Sequence, residues 1–188
     1  KYTSSSSDIN NVLHHHYHGK RPSRKPSEGT RNTIKGVDSV LDNHKLKKST
    51  HVYTGLKHSP HHIWTKTKSD RNKPVKVHLP AYTSTTTDYK ATSNFTEHDD
   101  APHHHEHRPA NGNSSARKHD YAEHVLKIHL PAGTHAGSVR DQSNYKDEHE
   151  VLLHRGHDIE IHPRPTVQKD GTHVWHARVV GHHPKPIK

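Results

Sequence analysis

Cysteine and methionine are absent from this 188-residue chain, phenylalanine occurs once and tryptophan twice, and acidic residues are few beside basic ones, 19 against 29. Without cysteine there is no disulfide framework, no thiolate-held zinc and no thiol nucleophile, so the redox compartment is left unmarked. Without methionine, even at position 1, the chain reads as a processed product or a fragment. Long apolar runs are missing too: none approaches the roughly 18 residues of a spanning helix, and the opening Lys1–Asn10 has no secretory apolar stretch. No membrane partner is expected. Leu, Ile, Val and Phe number 30, below the roughly 20% share at which high net charge signals disorder. What replaces them is histidine, 27 residues of it, in a chain of formal charge +10.

The composition is uneven along the chain. Residues 1–29 hold a serine tract, His14-His15-His16-Tyr17-His18 and a basic run from Lys20 to Lys25, and read as a flexible basic arm. Residues 184–188 read as a basic tail. Between them, residues 30–183 read as one folded domain, interrupted by a long polar loop at 97–120. The histidine tracts at 14–18 and 103–107 fall in segments expected to be loops and lack a His-Glu-x-x-His spacing, so no specific metal is assigned. The basic arm and tail would give non-specific attraction to nucleic acid.

Periodicity marks the folded part. Ile34, Val37, Val40 and Leu41 recur at helical spacing and predict a helix over roughly 32–45. Alternating apolar residues predict strands at 51–54, 75–79, 125–130, 151–153, 158–161 and 174–180. Asp88, with Ala91 and Phe95 following, predicts a short capped helix. A helix followed by a strand-rich half indicates α+β. No P-loop, Gly-x-Gly-x-x-Gly or Gly-x-Ser-x-Gly occurs, so nucleotide hydrolysis, Rossmann cofactor chemistry and serine hydrolysis have no residues to carry them.

Three segments carry chemistry: Tyr53-Thr54-Gly55, the hydroxyl cluster from Tyr82 through Thr86, and Tyr145 through Gly156 with Glu148 and Glu150. Residues two apart on a strand face the same way, so Glu148 and Glu150 put two carboxylates on one surface. In order, aromatic-x-Ser-Thr-Thr, Ala-x-x-x-Phe, Leu-Lys-Ile-x-Leu-Pro-x-Gly-Thr and Glu-x-Glu-Val-Leu-Leu-x-Arg-Gly resemble the Arg/Ser-Thr-Ser/Glu-x-Glu class of mono-ADP-ribosyltransferases, in toxin exoenzymes and T4-like phages. The resemblance spans roughly residues 30–181. It implies two packed β-sheets forming an NAD cleft with N-terminal helices, and NAD consumed as substrate to modify an arginine on a host protein.

The resemblance assigns roles. Glu150 would stabilise the cationic sugar, Glu148 would activate the acceptor and Ser84 would orient Glu150, with Thr85 and Thr86 in support. Tyr53, Thr54, Gly55, Tyr82 and Phe95 would line the cofactor site, although Tyr82 and Phe95 also suit a core, and Tyr145 would face the acceptor. The family has arginine where this chain has Thr54, which leaves Lys57, Arg71 or Arg140 to supply that charge. It also leaves open a catalytically silent protein of the same fold, serving as a virion-internal or nucleic-acid-binding protein. Placement follows the reading: virion interior or host cytoplasm for a phage protein, secretion for an effector.

Overall fold

A computed structural model describes residues 6–19, 25–56, 58–95, 124–138 and 149–187. The loop expected at 97–120 lies outside the described residues. Twelve of the residues assigned to the arm are instead a helix, α1 (Ser6–Tyr17), because Ile9 and Leu13 fall one turn apart and are buried. His14, His15 and His16, expected in a loop, form its last turn. Helix α2 (Glu28–Asn43) starts earlier than its apolar spacing suggests, since the Ser27 hydroxyl accepts from Thr30 N at 3.0 Å and caps it. Ile34 and Leu41 are its buried residues, whereas Val40 faces solvent.

The described strands are β1 (Thr50–Leu56), β2 (Val75–Leu79), β3 (Thr83–Thr86), β4 (His124–Leu130), β5 (Ala136–Ser138), β6 (Glu150–Leu153), β7 (His157–Ile161), β8 (Thr166–Val167) and β9 (His173–His182). They form two blocks. Strands β2-β7-β9-β4-β1 run in that order, with β8 on β9, and strands β3-β6-β5 form the second block. One register pair, Tyr53 with Thr86, joins the blocks through β1 and β3. Only β4 and β9 pair in parallel; the other described ladders are antiparallel.

Two apolar cores lie against these strands. Val52, Ile128, Leu130, Leu153, Ile159 and Trp175 share a core with Trp64, which comes from the short helix α3 (His61–Thr67). Helices α1 and α2 cover Ala81, Tyr82 and Leu152 through Ile9, Leu13, Ile34 and Leu41. Alternation along the strands produces this division, one face turning to each core.

Between α2 and the turn from β6 to β7 lies a buried polar junction. Arg155 Nε and Nη2 donate to Asp38 at 2.9 and 2.6 Å, Arg155 Nη1 donates to Lys185 O at 2.6 Å, and Tyr82 Oη donates to Asp38 Oδ1 at 2.6 Å. Gly156, at φ +84°, must be glycine here, because a Cβ would meet the Pro184 backbone at 2.5 Å. Around this junction four imidazoles cluster: the His182 ring stacks on His135 at 4.7 Å between centroids, meets His154 edge-on at 4.8 Å and lies tilted 4.4 Å from His157. Burial, then the neighbouring imidazoles, brings His182 down to about 4. Burial, against hydrogen bonds to the His135 and Gly181 carbonyls, also lowers His157.

A pH dependence follows. Both histidines are neutral in the folded state and take up protons readily only when unfolded, so their stabilising effect is complete above the unfolded value of about 6.5. It is lost as pH falls from there toward 4. Asp38 and Asp42 face His154 at 3.7 and 3.1 Å, and Arg155 opposes any added charge. Asp158, held low by His78 and Lys76 against its own burial, loses its contribution only below the ordinary carboxylate range. The urea midpoint is therefore expected to drop steadily from pH 7 to 4.5, and the drop to shrink in a His157→Gln, His182→Gln double variant. An unchanged profile in that variant would place the acid sensitivity elsewhere.

Candidate active site

The hydroxyl row and the second glutamate are brought together by the β3/β6 ladder. Its register pairs Thr86 with Glu150, Thr85 with Val151 and Ser84 with Leu152. Opposed residues share a face, so Ser84, Thr86 and Glu150 lie on one side, Ser84 diagonal to Glu150 at roughly 7–8 Å between backbones. Glu150 is buried, only 8% exposed. A carboxylate held in so poorly solvated a setting acts more strongly on a developing cation than it would in water.

Thr85 and Thr86, expected near the cofactor, are fully buried, and the described contacts of their hydroxyls are with backbone: Thr85 Oγ1 donates to Val151 O at 2.6 Å, and Thr86 Oγ1 accepts from Asp88 N at 3.0 Å. They lock β3 to β6 and start the next turn. The 3-10 helix Tyr89–Phe95 follows, with Asp88 Oδ1 accepting from Lys90 N at 2.9 Å as the aspartate cap predicts. Phe95 is its last residue. Tyr82 takes the core place that its sequence also suits. It is 3% exposed among the α1 and α2 contacts, and its hydroxyl also donates to Ile34 O at 3.1 Å. Burial first, then Asp38, pushes that hydroxyl far up.

His149 has φ +45°, a region that residues other than glycine rarely occupy, and its carbonyl accepts from Thr87 N at 3.2 Å. His149 is thus tied to the end of the hydroxyl strand. Glu148 and Tyr145 lie outside the described residues, as do Lys57 and Arg140.

On β1, Tyr53 pairs with Thr86 on one side and Lys127 on the other, Thr54 pairs with Leu126, and Gly55 with Val125. The Tyr53 ring meets Tyr89 edge-on at 5.5 Å, and Lys127 Nζ lies 5.9 Å from its centroid. Arg71, one of the cations considered for the missing arginine, donates to Thr65 Oγ1 at 3.2 Å beside α3. Sequence reasoning missed Lys127 as a neighbour of Tyr53, since only the β1/β4 register reveals it.

The fold has counterparts of known structure. An ADP-ribosyltransferase of Clostridium botulinum, solved in a triclinic form, matches with a TM-score of 0.62 at 15% identity, over 95% of this chain and 82% of its own. The C3 exoenzyme of Clostridium limosum gives 0.65 at 15% identity, over 96% and 82%. BECa, the ADP-ribosylating toxin of a binary enterotoxin of C. perfringens solved with NADH, gives 0.57 at 18% identity, over 95% of this chain and 41% of its own. No curated protein matches the sequence. The fold is thus that of the toxin-type, NAD-using ADP-ribosyltransferases. Residues 1–179 match the family model described as ADP-ribosyltransferase exoenzyme, and the chain belongs to that family.

Proposed function

We propose that the chain transfers ADP-ribose from NAD to an arginine of a host protein, with Glu150 as the catalytic carboxylate. The observation carrying this reading is the ladder that puts Ser84 and Glu150 on one face. When the bond from nicotinamide to the ribose C1′ breaks, nicotinamide leaves with the electron pair and C1′ becomes cationic. A carboxylate fixed beside it stabilises that charge more in the transition state than in the ground state. Ser84 orients Glu150, and Gly55 lets ligand approach the β1 backbone. A guanidinium nitrogen then bonds to C1′, and Glu148 takes its proton, a step needed because protonated guanidinium is a poor nucleophile. Tyr145, three residues earlier, meets the acceptor. Host cytoplasm is the place of action, for a secreted toxin or a phage protein released from its virion.

The test uses labelled NAD with two peptides differing only by arginine or lysine. Label confined to the arginine peptide supports the proposal. Label on a different acceptor residue would overturn the arginine assignment while leaving the transferase intact.

A second reading rests on Thr54, which pairs with Leu126 where the resemblance calls for arginine. It makes the chain a catalytically silent member serving as a virion-internal or nucleic-acid-binding protein. Absence of NAD binding by calorimetry in the folded protein would select it; micromolar binding would exclude it.

A further inference from the structure

Apart from Tyr53 at its edge, the outer face of the five-stranded block carries a charge pattern built from residues that have no role assigned in ADP-ribosyl transfer. Because opposed residues share a face, the registers write that pattern out in rows. Lys76, Glu160, Arg178, His129 and His51 form one row across β2, β7, β9, β4 and β1. The next holds His176, Lys127 and Tyr53, with His162 N donating to His176 O at its end.

The carboxylates of this face are already engaged. Asp158 accepts from His78 at 2.7 Å and Lys76 at 3.0 Å, and Glu160 accepts from Arg178 at 3.1 Å. Among the described residues no carboxylate pairs with Lys127 or Arg164. The field here is positive: burial first, and Lys127 next, hold His51 and His176 below the ordinary histidine range. Two cavities flank His176. One, of about 560 Å³, is lined by Asn72, His162 and Arg164; the other, of about 190 Å³, by Tyr53, Tyr89 and Lys127.

We propose that this face binds single-stranded nucleic acid, with Lys127 and Arg164 holding phosphates on either side of His176 and with the imidazoles and tyrosines taking bases. Shape excludes a duplex. Five strands at about 4.8 Å span roughly 19 Å, too broad for a major groove about 12 Å wide. Rings distinguish the ligand from a sulfated polymer, because stacking needs the flat faces of bases.

The experiment is fluorescence anisotropy of a labelled 12-nucleotide oligo-dT with the full chain and saturating NAD, from 50 to 200 mM salt. Binding should weaken with salt, and a Lys127→Gln, Arg164→Gln variant should flatten the log–log slope by about 0.7 per lost contact. His51→Ala with His129→Ala should lower affinity about fivefold or more if bases stack there. Circular dichroism confirms that each variant is folded. Retained binding by Glu150→Gln would separate this face from the transfer reaction. The proposal is overturned by displacement of oligo-dT by NAD, by equal binding of duplex or heparin at matched charge, or by an unchanged slope in the double variant, which would place contact at the basic termini.

Discussion

Glu150→Gln is expected to lower kcat for ADP-ribosyl transfer by at least about 100-fold, near 2.7 kcal/mol, the range seen when one charge-stabilising group is removed from an active site. The substitution is nearly isosteric, and the β3/β6 pairing that seats residue 150 is made by backbone, so the fold should be kept. In the proposed reaction the substitution removes negative charge opposite a cation that exists only as nicotinamide departs. The loss should therefore fall on kcat, with KM for NAD changing only a few-fold. Ser84→Ala, acting through Glu150, should cost less. Transfer by Glu150→Gln at the parent rate would end the assignment of that residue, and a purely raised KM would recast it as a ground-state contact.

The second large effect concerns stability. Arg155→Ala removes the partner of Asp38, whose carboxylate side chain is 18% exposed and also receives the Tyr82 hydroxyl. Breaking a buried ion pair on one side costs about 3–5 kcal/mol, because the remaining charge stays desolvated. Against a typical total of about 5–15 kcal/mol, that is about a fifth or more of the stability. Urea unfolding should show the midpoint falling with little change in slope. Replacing both partners, Arg155→Met with Asp38→Asn, should recover part of the loss, and the double-mutant cycle should return a coupling above about 1 kcal/mol. Additive losses would mean that the two side chains stabilise the junction independently.

Much of the strand pattern was legible because alternation survives the histidines. Val75, Val77 and Leu79 mark β2 within its observed limits, and Val125 to Leu130 mark all but the first residue of β4. Histidine does not disturb the period of two, since it replaces polar positions such as His129 as readily as buried ones such as His157. Helix α1 was not legible, because two buried aliphatics among serines and histidines give too little periodic signal. Helix α3 was missed for the same reason, with Trp64 its single buried residue.

The site was legible as motifs and illegible as geometry. Ser84 and Glu150 stand out in the sequence, but their common face depends on a ladder between strands 66 residues apart, as the Thr85 to Val151 hydrogen bond shows. Tyr82 fits an aromatic motif, yet Asp38, 44 residues upstream, draws its hydroxyl into the helical core. Arg155 lies in the turn after β6. Its tie to Asp38 across 117 positions makes the turn an anchor for α2.

The residues after β9, expected as a plain tail, return to the N-terminal helix. His16 Nε2 meets Pro186 O at 2.9 Å, Lys185 Nζ donates to Tyr17 O at 3.0 Å and sits 4.3 Å over the Tyr17 ring, and Ile187 packs with the α1 and α2 core. The two terminal segments thus form a clasp: a protease cut in either would loosen both, and a purification tag at one end would be felt at the other. Through Lys185 O, that clasp also holds Arg155, so trimming the chain back past Lys185 would reach the buried ion pair.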